Sequence, residues 1–239
     1  KRLFWRFFIF LIYVYLNQFI NKNNVMEQTK QQFPTEEVTL PSKGLLYPKS
    51  SLLSKGVIEM KYMTAREEDI LTNSNFIQKG TVIDKLLQSL IVSKIDYNDL
   101  LLGDKNAVLV AARVLGYGSE YIFDYKGEDQ TIDLTKIKDK KLNEKLIQED
   151  GKNEFHHTLS TSKREVTFKF LTHKDETSIN NELKGLKRIN PNASPELSTR
   201  MKYIITSVDG DYEKKTIRNF VDTQLLAKDA RELRNYIES

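Results

Sequence analysis

Short alternating segments that lead directly into helix starts are the main hydrophobic pattern in the first half of the chain. Residues 57–63 alternate apolar and polar side chains as a half-buried strand does, and Gly56 precedes them. Thr64 and Glu67 follow with the spacing of a capping box, which joins a helix N-cap to the third helical residue. The pattern therefore predicts a strand and then a capped helix over residues 65–71.

A second pairing of the same kind lies in the other half of the chain. Residues 165–171 alternate strictly enough for a half-buried strand, and Thr172 with Asp175 has the spacing of a helix cap. The order of strand and capped helix thus occurs at 57–71 and again at 165–187. This recurrence suggests a weak internal duplication.

Turn and cap signals predict the remaining elements. Gly44 supplies a left-handed backbone position for a turn at 41–44. Thr81 opens one helix with Asp84 in its first turn, and Asp104 caps a helix that Gly116 ends. The other predicted elements are strands at 38–40 and 121–123 and helices at 81–91, 107–115, 195–209, 215–226 and 229–237. Short strands each followed by capped helices, with a mainly helical carboxy-terminal half, define an α+β fold class.

Composition divides the 239 residues into four segments, a length that suits one large domain or two modest ones. Residues 1–25 form an apolar lead, and 26–125 form an amino-terminal domain. Residues 126–164 are rich in both lysine and acidic side chains, which is typical of a polar insertion or mobile linker. Residues 165–239 form a carboxy-terminal α/β segment.

The apolar lead has three interpretations. Residues 3–20 are the most apolar part of the chain, but Arg6 interrupts them, and a transmembrane helix needs roughly 20 apolar residues. No small-residue cleavage site of a secretory signal follows. The composition turns polar after Met26, which has the position of a biological start. The lead is then translated upstream sequence, a membrane anchor or a partner-binding helix.

Charge and composition favour a folded protein with no nucleic-acid partner. The hydrophobic fraction of 39% is too high for general disorder, and 37 basic side chains barely exceed 33 acidic ones. The densest lysine run, 136–145, is interrupted by acidic residues and holds no aromatic side chain, which favours a solvated face over the alternative of a nucleic-acid-binding module. The absence of cysteine excludes disulfides, thiol nucleophiles and thiolate metal sites.

Candidate chemistry is sparse along the chain. His156 and His157 are adjacent and point in different directions, so they lack the helical spacing of a metal pair, and His173 is expected at the surface. Gly116 and Gly118 follow a helix instead of opening one, unlike a phosphate-binding loop. No serine lies in a nucleophile-elbow pattern. The sequence therefore predicts a protein that is not an enzyme, with no cofactor, no metal and no small-molecule substrate.

Between Leu40 and Tyr125 the chain carries four motifs in an unusual order. They are Leu40-Pro-Ser-Lys-Gly44, Met63-Thr-Ala-Arg-Glu-Glu68, Gly103-Asp104 and Arg113-Val-Leu-Gly-Tyr117-Gly-Ser-Glu-Tyr121. This collinear order resembles the baseplate hub protein family of T-even-like contractile-tailed bacteriophages. A looser match covers residues 166–172 and 200–210 and the helices after them. Two departures are the apolar lead and the lack of the cysteine-bearing tail of family members, which indicates a truncated or imprecisely delimited gene product.

The resemblance implies a hub subunit or a hub assembly chaperone that acts through contacts with other phage baseplate hub or tail proteins. It implies the host cytoplasm during assembly, with the virion tail baseplate as a further location. A membrane-associated adaptor anchored by residues 3–20 is the alternative function. The positions expected to define the interaction surface or the architecture are Lys43, Gly44, Tyr47, Arg113, Tyr117 and Tyr121.

Overall fold

Seven short strands and eight α-helices make up the regular structure in the part of the chain that the structure describes. The structure is a computed structural model, and it describes residues 34–138, 142, 144–147, 149–192 and 195–238. In chain order the elements are β1 (Thr35–Thr39), β2 (Val57–Lys61), α1 (Ala65–Thr72), α2 (Ser74–Lys79), α3 (Val82–Leu90), α4 (Leu102–Tyr117), β3 (Glu120–Tyr125), β4 (Glu128–Asp133), β5 (Phe155–Thr158), β6 (Glu165–Phe168), α5 (His173–Ile189), α6 (Glu196–Ile204), β7 (Ile205–Val208), α7 (Lys214–Thr223) and α8 (Ala227–Glu238). One-turn 3₁₀ helices lie at Leu52–Lys55, Tyr97–Asp99, Leu134–Lys136 and Glu144–Leu146.

The strands form three small antiparallel sheets. β1 pairs with β2 so that Thr35 lies opposite Lys61, and β3 pairs with β4 so that Glu120 lies opposite Asp133. The third sheet has the order β5-β6-β7. Small antiparallel sheets combined with helices confirm the α+β fold class, and the carboxy-terminal half is mainly helical, as predicted.

The capping box predicted at the start of α1 is present. The Glu67 carboxylate accepts hydrogen bonds from the Thr64 N–H at 3.0 Å and from the Thr64 hydroxyl at 2.6 Å. The same buried carboxylate accepts from Lys61 Nζ at 2.9 Å and from Ser89 Oγ at 2.7 Å. Burial raises the pKa of Glu67, but the hydrogen bonds from Thr64, Lys61 and Ser89 outweigh burial and hold that pKa at about 2. Glu67 therefore joins β2, α1 and α3.

The cap predicted for α5 is also present. The Thr172 hydroxyl accepts from the Asp175 N–H at 3.3 Å, and Asp175 accepts from the Thr172 N–H at 3.0 Å. Lys169 Nζ lies 2.8 Å from both carboxylate oxygens of Asp175. A lysine at the end of the preceding strand therefore contacts the capping carboxylate here, as Lys61 contacts Glu67 in the first half.

The hairpin loops of the two halves begin in the same way. The Leu40 N–H donates to the Gly56 carbonyl at 2.8 Å, and the Leu159 N–H donates to the Arg164 carbonyl at 2.9 Å. Both leucine side chains are fully buried. Each loop therefore leaves its sheet at a buried leucine that closes the hairpin.

In both halves a later helix then returns the chain to the sheet. α3 ends immediately before Ile91, which forms an antiparallel bridge to Met60 of β2. α6 ends immediately before Ile205, which pairs with Phe168 of β6. The returning segment therefore adds to the middle strand on the side opposite the hairpin partner.

A buried carboxylate on the last helix of each half holds the hairpin loop. Asp104, in the first turn of α4, accepts the Ser42 N–H at 2.9 Å. Asp229, near the start of α8, accepts the Thr161 N–H at 2.9 Å and the Ser162 N–H at 3.0 Å. Burial raises the pKa of Asp229, but hydrogen bonds from Ser162 and Thr161 outweigh it and keep the pKa below its usual range. Both halves thus repeat one arrangement, which supports the suggested internal duplication.

The junction between the halves buries His173, which the sequence analysis placed at the surface. That expectation was wrong because the Tyr97 turn and α4 cover the start of α5. The Tyr97 and His173 rings pack edge to face with 4.6 Å between their centroids, and the backbone N–H of His173 donates to the Leu100 carbonyl at 2.8 Å. Burial lowers the pKa of His173, Asp84 opposes the shift, and Lys105 adds to it.

Three local predictions were wrong. Asp104 does not cap α4, because the helix begins two residues earlier at Leu102 and the carboxylate turns to the loop at Ser42. Thr81 is the N-cap residue of α3 and Asp84 lies in its first turn, as predicted, but the Thr81 side chain makes no capping hydrogen bond. Residues 205–208 form β7 and do not continue a helix, because they pair with the buried strand β6.

Two boundaries also differ from those predicted. α4 passes through Gly116 and has Gly118 as its C-cap. The segment 126–164, expected to be an insertion or mobile linker, contributes β4 and β5 to two of the sheets. The ring of Phe155 in β5 is buried and stacks on Phe168 at 5.3 Å between centroids. That end of the segment is therefore part of the core.

One hydrophobic cluster draws side chains from both halves of the described chain. Fully burying one such side chain contributes roughly 1.5–3 kcal/mol. The largest buried members include Leu40, Ile58, Met60, Leu87 and Leu100 in the first half and Phe168, Met201 and Phe220 in the second. The two halves therefore stabilise each other through a common core.

Candidate functional site

The turn at 41–44 is fastened to α4 by the Asp104 anchor, a buried cluster of Ser42, Tyr47 and Asp104. The Asp104 carboxylate accepts the Ser42 N–H at 2.9 Å, the Ser42 hydroxyl at 2.7 Å and the Tyr47 hydroxyl at 2.6 Å. The Leu101 N–H donates to the Tyr47 oxygen at 2.9 Å. Burial and the charge of Asp104 raise the pKa of Tyr47, so its phenol remains a hydrogen-bond donor.

Lys43 and Gly44, at the tip of this turn, both have left-handed backbone conformations. Gly44 has φ +78°, and a Cβ there would lie 2.4 Å from the Ser54 carbonyl oxygen, so only glycine fits. Lys43 has φ +53° and an exposed side chain whose Nζ lies 2.6 Å from Glu144. An exposed ion pair of this kind contributes about 0–1 kcal/mol. Gly44 is therefore architectural, whereas the Lys43 ammonium is accessible.

Arg113, Tyr117 and Tyr121 form a second cluster, the Arg113 cluster, where α4 ends and β3 begins. The guanidinium donates to the Gly118 carbonyl at 3.0 Å and to the Glu120 carbonyl at 3.3 Å. It also lies over the Tyr117 ring at 5.1 Å and over the Tyr121 ring at 5.7 Å, within cation–π range. Arg113 thus fixes the angle at which the chain leaves α4.

Beyond this cluster lies the hairpin, residues 120–133, which carries aromatic side chains along one face. Tyr121, Phe123 and Tyr125 alternate along β3, with Ile132 opposite Tyr121. The Tyr121 and Phe123 rings stack at 6.0 Å, and Lys126 Nζ lies 5.2 Å from the centre of the Tyr125 ring. Tyr121 is 42% exposed and Tyr125 is 57% exposed. The face is therefore an apolar row open to solvent.

The other face of the hairpin is acidic. Its side chains are Glu120, Ile122 and Asp124 of β3 and Asp129, Thr131 and Asp133 of β4. Ile122, the apolar member, is 63% exposed. The hairpin as a whole carries five carboxylates against the single ammonium of Lys126. It is thus a two-faced ribbon, aromatic on one side and negatively charged on the other.

The six predicted site residues thus fall into two groups, one near each end of α4. Lys43, Gly44 and Tyr47 lie in or just after the turn that Asp104 holds near the start of the helix, and the Arg113 cluster lies at its end. Arg113 lies nine positions after Asp104, which is about 14 Å along a helix. The structure does not bring the two clusters together.

Sequence reasoning missed Asp104 as an anchor and missed Phe123 and Tyr125 as surface residues. Asp104 was interpreted through its local position, because its partners Ser42 and Tyr47 are distant in the chain. The strict alternation of aromatic residues from 121 to 125 is a period-two signal that could have identified the aromatic face. The short turn at Lys126 could have identified the hairpin.

The described residues hold no group of three histidine or acidic side chains that could bind a metal ion. His157 lies 3.0 Å from Glu232. Hydrogen bonds from Ser160 and His157 lower the pKa of Glu232, so the carboxylate is charged near neutral pH. His156 is exposed on the other side of β5. The adjacent histidines thus diverge as expected from a strand.

Of the two remaining segments singled out from the sequence, one lies wholly and the other partly outside the described residues. The apolar lead, 1–25, is one of them, and among the helices that are described none is long and apolar enough to cross a membrane. In the lysine run, Lys136 and Lys138 are exposed, but residues 139–141 lie outside the description. The membrane-adaptor alternative therefore stays a prediction.

The fold and the two clusters define an α+β protein with an anchored turn and an exposed aromatic hairpin. No family model, curated protein or solved structure matched the chain in comparison.

Proposed function

We propose that this chain acts in assembly of the central hub of a contractile phage tail baseplate, as a hub subunit or as an assembly chaperone. It acts by protein–protein contacts and includes no catalytic step and no cofactor. Its partners are other baseplate hub or tail proteins. The observation that carries the proposal is the exposed aromatic face of the hairpin, beside Arg113.

Exposed aromatic rows are costly unless a partner covers them. Soluble proteins seldom leave several large apolar side chains together on the surface, and such patches mark interaction sites. Tyr121 and Tyr125 are both at least two-fifths exposed and lie on the same face of the hairpin. Tyrosine and arginine are also the side chains most enriched at the energetic centres of interfaces. The composition of the hairpin therefore suits a binding surface.

Two of the motifs that resemble the hub family lie at opposite ends of α4, and the second of them supports this surface. Asp104, in the Gly-Asp motif, holds the first turn to α4. Arg113, Tyr117 and Tyr121, in the last motif, orient the hairpin on the far end of the same helix. The resemblance and the geometry thus concern the same residues, and they support one function.

Co-expression with the hub and tail proteins encoded beside this chain, followed by affinity capture, tests the proposal. We expect one specific complex with a tail protein. The double variant Tyr121→Ser, Tyr125→Ser should lose capture at least about tenfold, because interface aromatics commonly contribute 2 kcal/mol or more each. Tyr212→Ser, which alters an equally exposed tyrosine elsewhere, should bind as the wild type does. Capture of no tail protein by the wild-type chain would overturn the proposal.

A further inference from the structure

The outer edge of β3 presents free backbone groups in an alternating pattern. In the described part of the chain, β3 and β4 pair with each other alone. Tyr125 and Glu128 flank a two-residue turn and therefore exchange hydrogen bonds with each other. The backbone groups of alternate residues consequently point away from β4. Those of Ile122 and Asp124 are directed outward along the open edge.

Arg113 defines where this open edge begins. Its guanidinium donates to the carbonyl of Glu120, which is the first outward-facing residue of β3. The following outward-facing residues, Ile122 and Asp124, are exposed. An added strand would therefore begin beside Arg113 and run along the edge toward the turn. A two-stranded ribbon is marginal alone in water, and a third strand would stabilise it.

The charges beside this edge select the occupant. An added strand would alternate its side chains between the aromatic face and the acidic face. Apolar side chains fit beside Tyr121, Phe123 and Tyr125, and lysine or arginine fits beside Glu120 and Asp124. Opposite charges across neighbouring strands are stabilising.

A second copy of this chain fits the edge poorly. Antiparallel pairing of two β3 strands centred on Ile122 would set Glu120 of one copy against Asp124 of the other. Like charges directly opposite each other destabilise a strand pair. The acidic side chains thus protect the edge against self-association while leaving it open to a basic partner.

We infer that β3 binds an extended segment of a partner protein, in which apolar and basic residues alternate, as a third strand of the hairpin. This inference rests on the proposed function in that the partner is taken to be an assembly protein. Main-chain hydrogen bonds would supply affinity, and the two faces of the hairpin would select the side-chain pattern.

The probe is a synthetic seven-residue peptide in which lysine and valine alternate, with both ends blocked, one of them by a fluorophore. Binding is followed by the fluorescence anisotropy of the peptide and by the amide chemical shifts of the protein. We expect the peptide to shift the amide resonances of Ile122 and Asp124. A peptide of the same composition with its lysines grouped should bind about tenfold more weakly, because it cannot match both faces. A peptide N-methylated at the bonding amides loses two hydrogen bonds and should show a similar loss.

Charge reversal on the protein supplies the complementary test. The variant Glu120→Lys, Asp124→Lys should bind the lysine peptide more weakly and should gain binding of a glutamate–valine peptide. Asp69→Lys, which alters an exposed carboxylate on α1, should leave both affinities unchanged. Equal binding of the alternating and grouped peptides, or no binding at about 1 mM, would overturn strand addition.

The two proposals fail in different ways. If the chain captures a tail protein but the peptide does not bind, strand addition is wrong and the assembly function stands. If the peptide binds at β3 but the chain captures no tail protein, the hub assignment is wrong and the open edge remains a binding site.

Discussion

Replacing Asp104 with alanine removes the acceptor that holds three donors at the start of the chain's first hairpin loop. The donors are the N–H and hydroxyl of Ser42 and the hydroxyl of Tyr47, at 2.9, 2.7 and 2.6 Å. Asp104 is 1% exposed, so water does not replace the lost carboxylate without rearrangement. The substitution therefore leaves polar groups buried without their partner.

The expected cost follows from the number and kind of donors. Each buried group left unsatisfied costs about 1–3 kcal/mol. The Tyr47 oxygen still accepts from the Leu101 N–H, and the Ser42 hydroxyl can rotate, so the lower part of the range applies. We expect Asp104→Ala to lower the free energy of unfolding by about 3–5 kcal/mol. Asp104→Asn keeps the shape and one acceptor oxygen and should cost about half as much.

Urea unfolding monitored by circular dichroism measures these differences. Asp229→Ala, the equivalent change in the second half, removes the acceptor of two backbone N–H groups and should also destabilise, by about 2–4 kcal/mol. Asp69→Ala on the surface of α1 should change stability by less than about 0.5 kcal/mol. A cost below about 1 kcal/mol for Asp104→Ala would refute the view that this carboxylate fastens the loop to α4.

Two further predictions concern acid stability and the hairpin. The pKa of Glu67 is about 2 in the folded chain against 4.5 ordinarily, so its contribution to stability is present above about pH 4.5 and is lost as the pH falls toward 2. Glu67→Gln should lower stability at pH 7 and flatten the acid limb of an unfolding curve measured between pH 5 and 2; an unchanged acid limb would contradict this. Arg113→Lys cannot donate to two carbonyls and stack on two rings at once, so amide hydrogen exchange should quicken in residues 120–133. Arg66→Lys on α1 should leave that exchange unchanged, and equal exchange in both variants would show that Arg113 does not hold the hairpin.

Local signals predicted the capped helices, and distant contacts account for most of what they missed. The boxes at Thr64 and Thr172 depend on residues three apart, so their pattern is visible in the sequence. Asp104 also occupies a position typical of a cap, but its partners lie about sixty residues earlier. β7 follows α6 without a break in hydrophobic pattern, so only its pairing with β6 shows that it is a strand.

The candidate site was predictable as a set of residues but not as a surface. The sequence places Arg113, Tyr117 and Tyr121 at intervals of four residues. The turn at Gly118 then brings both tyrosine rings beside one guanidinium. Lys43 and Tyr47 lie near the opposite end of α4, and the length of that helix sets their distance from the Arg113 cluster. Neither distance nor exposure follows from the motifs alone.

The common core of the two halves has a consequence for how the chain unfolds. Buried side chains from both halves pack in one hydrophobic cluster, and Leu101 forms an antiparallel bridge to Thr172 at the junction. Elements that share one core usually lose their structure as one cooperative unit. The two described halves should therefore unfold together in denaturant, although each repeats the same arrangement of strands and capped helix.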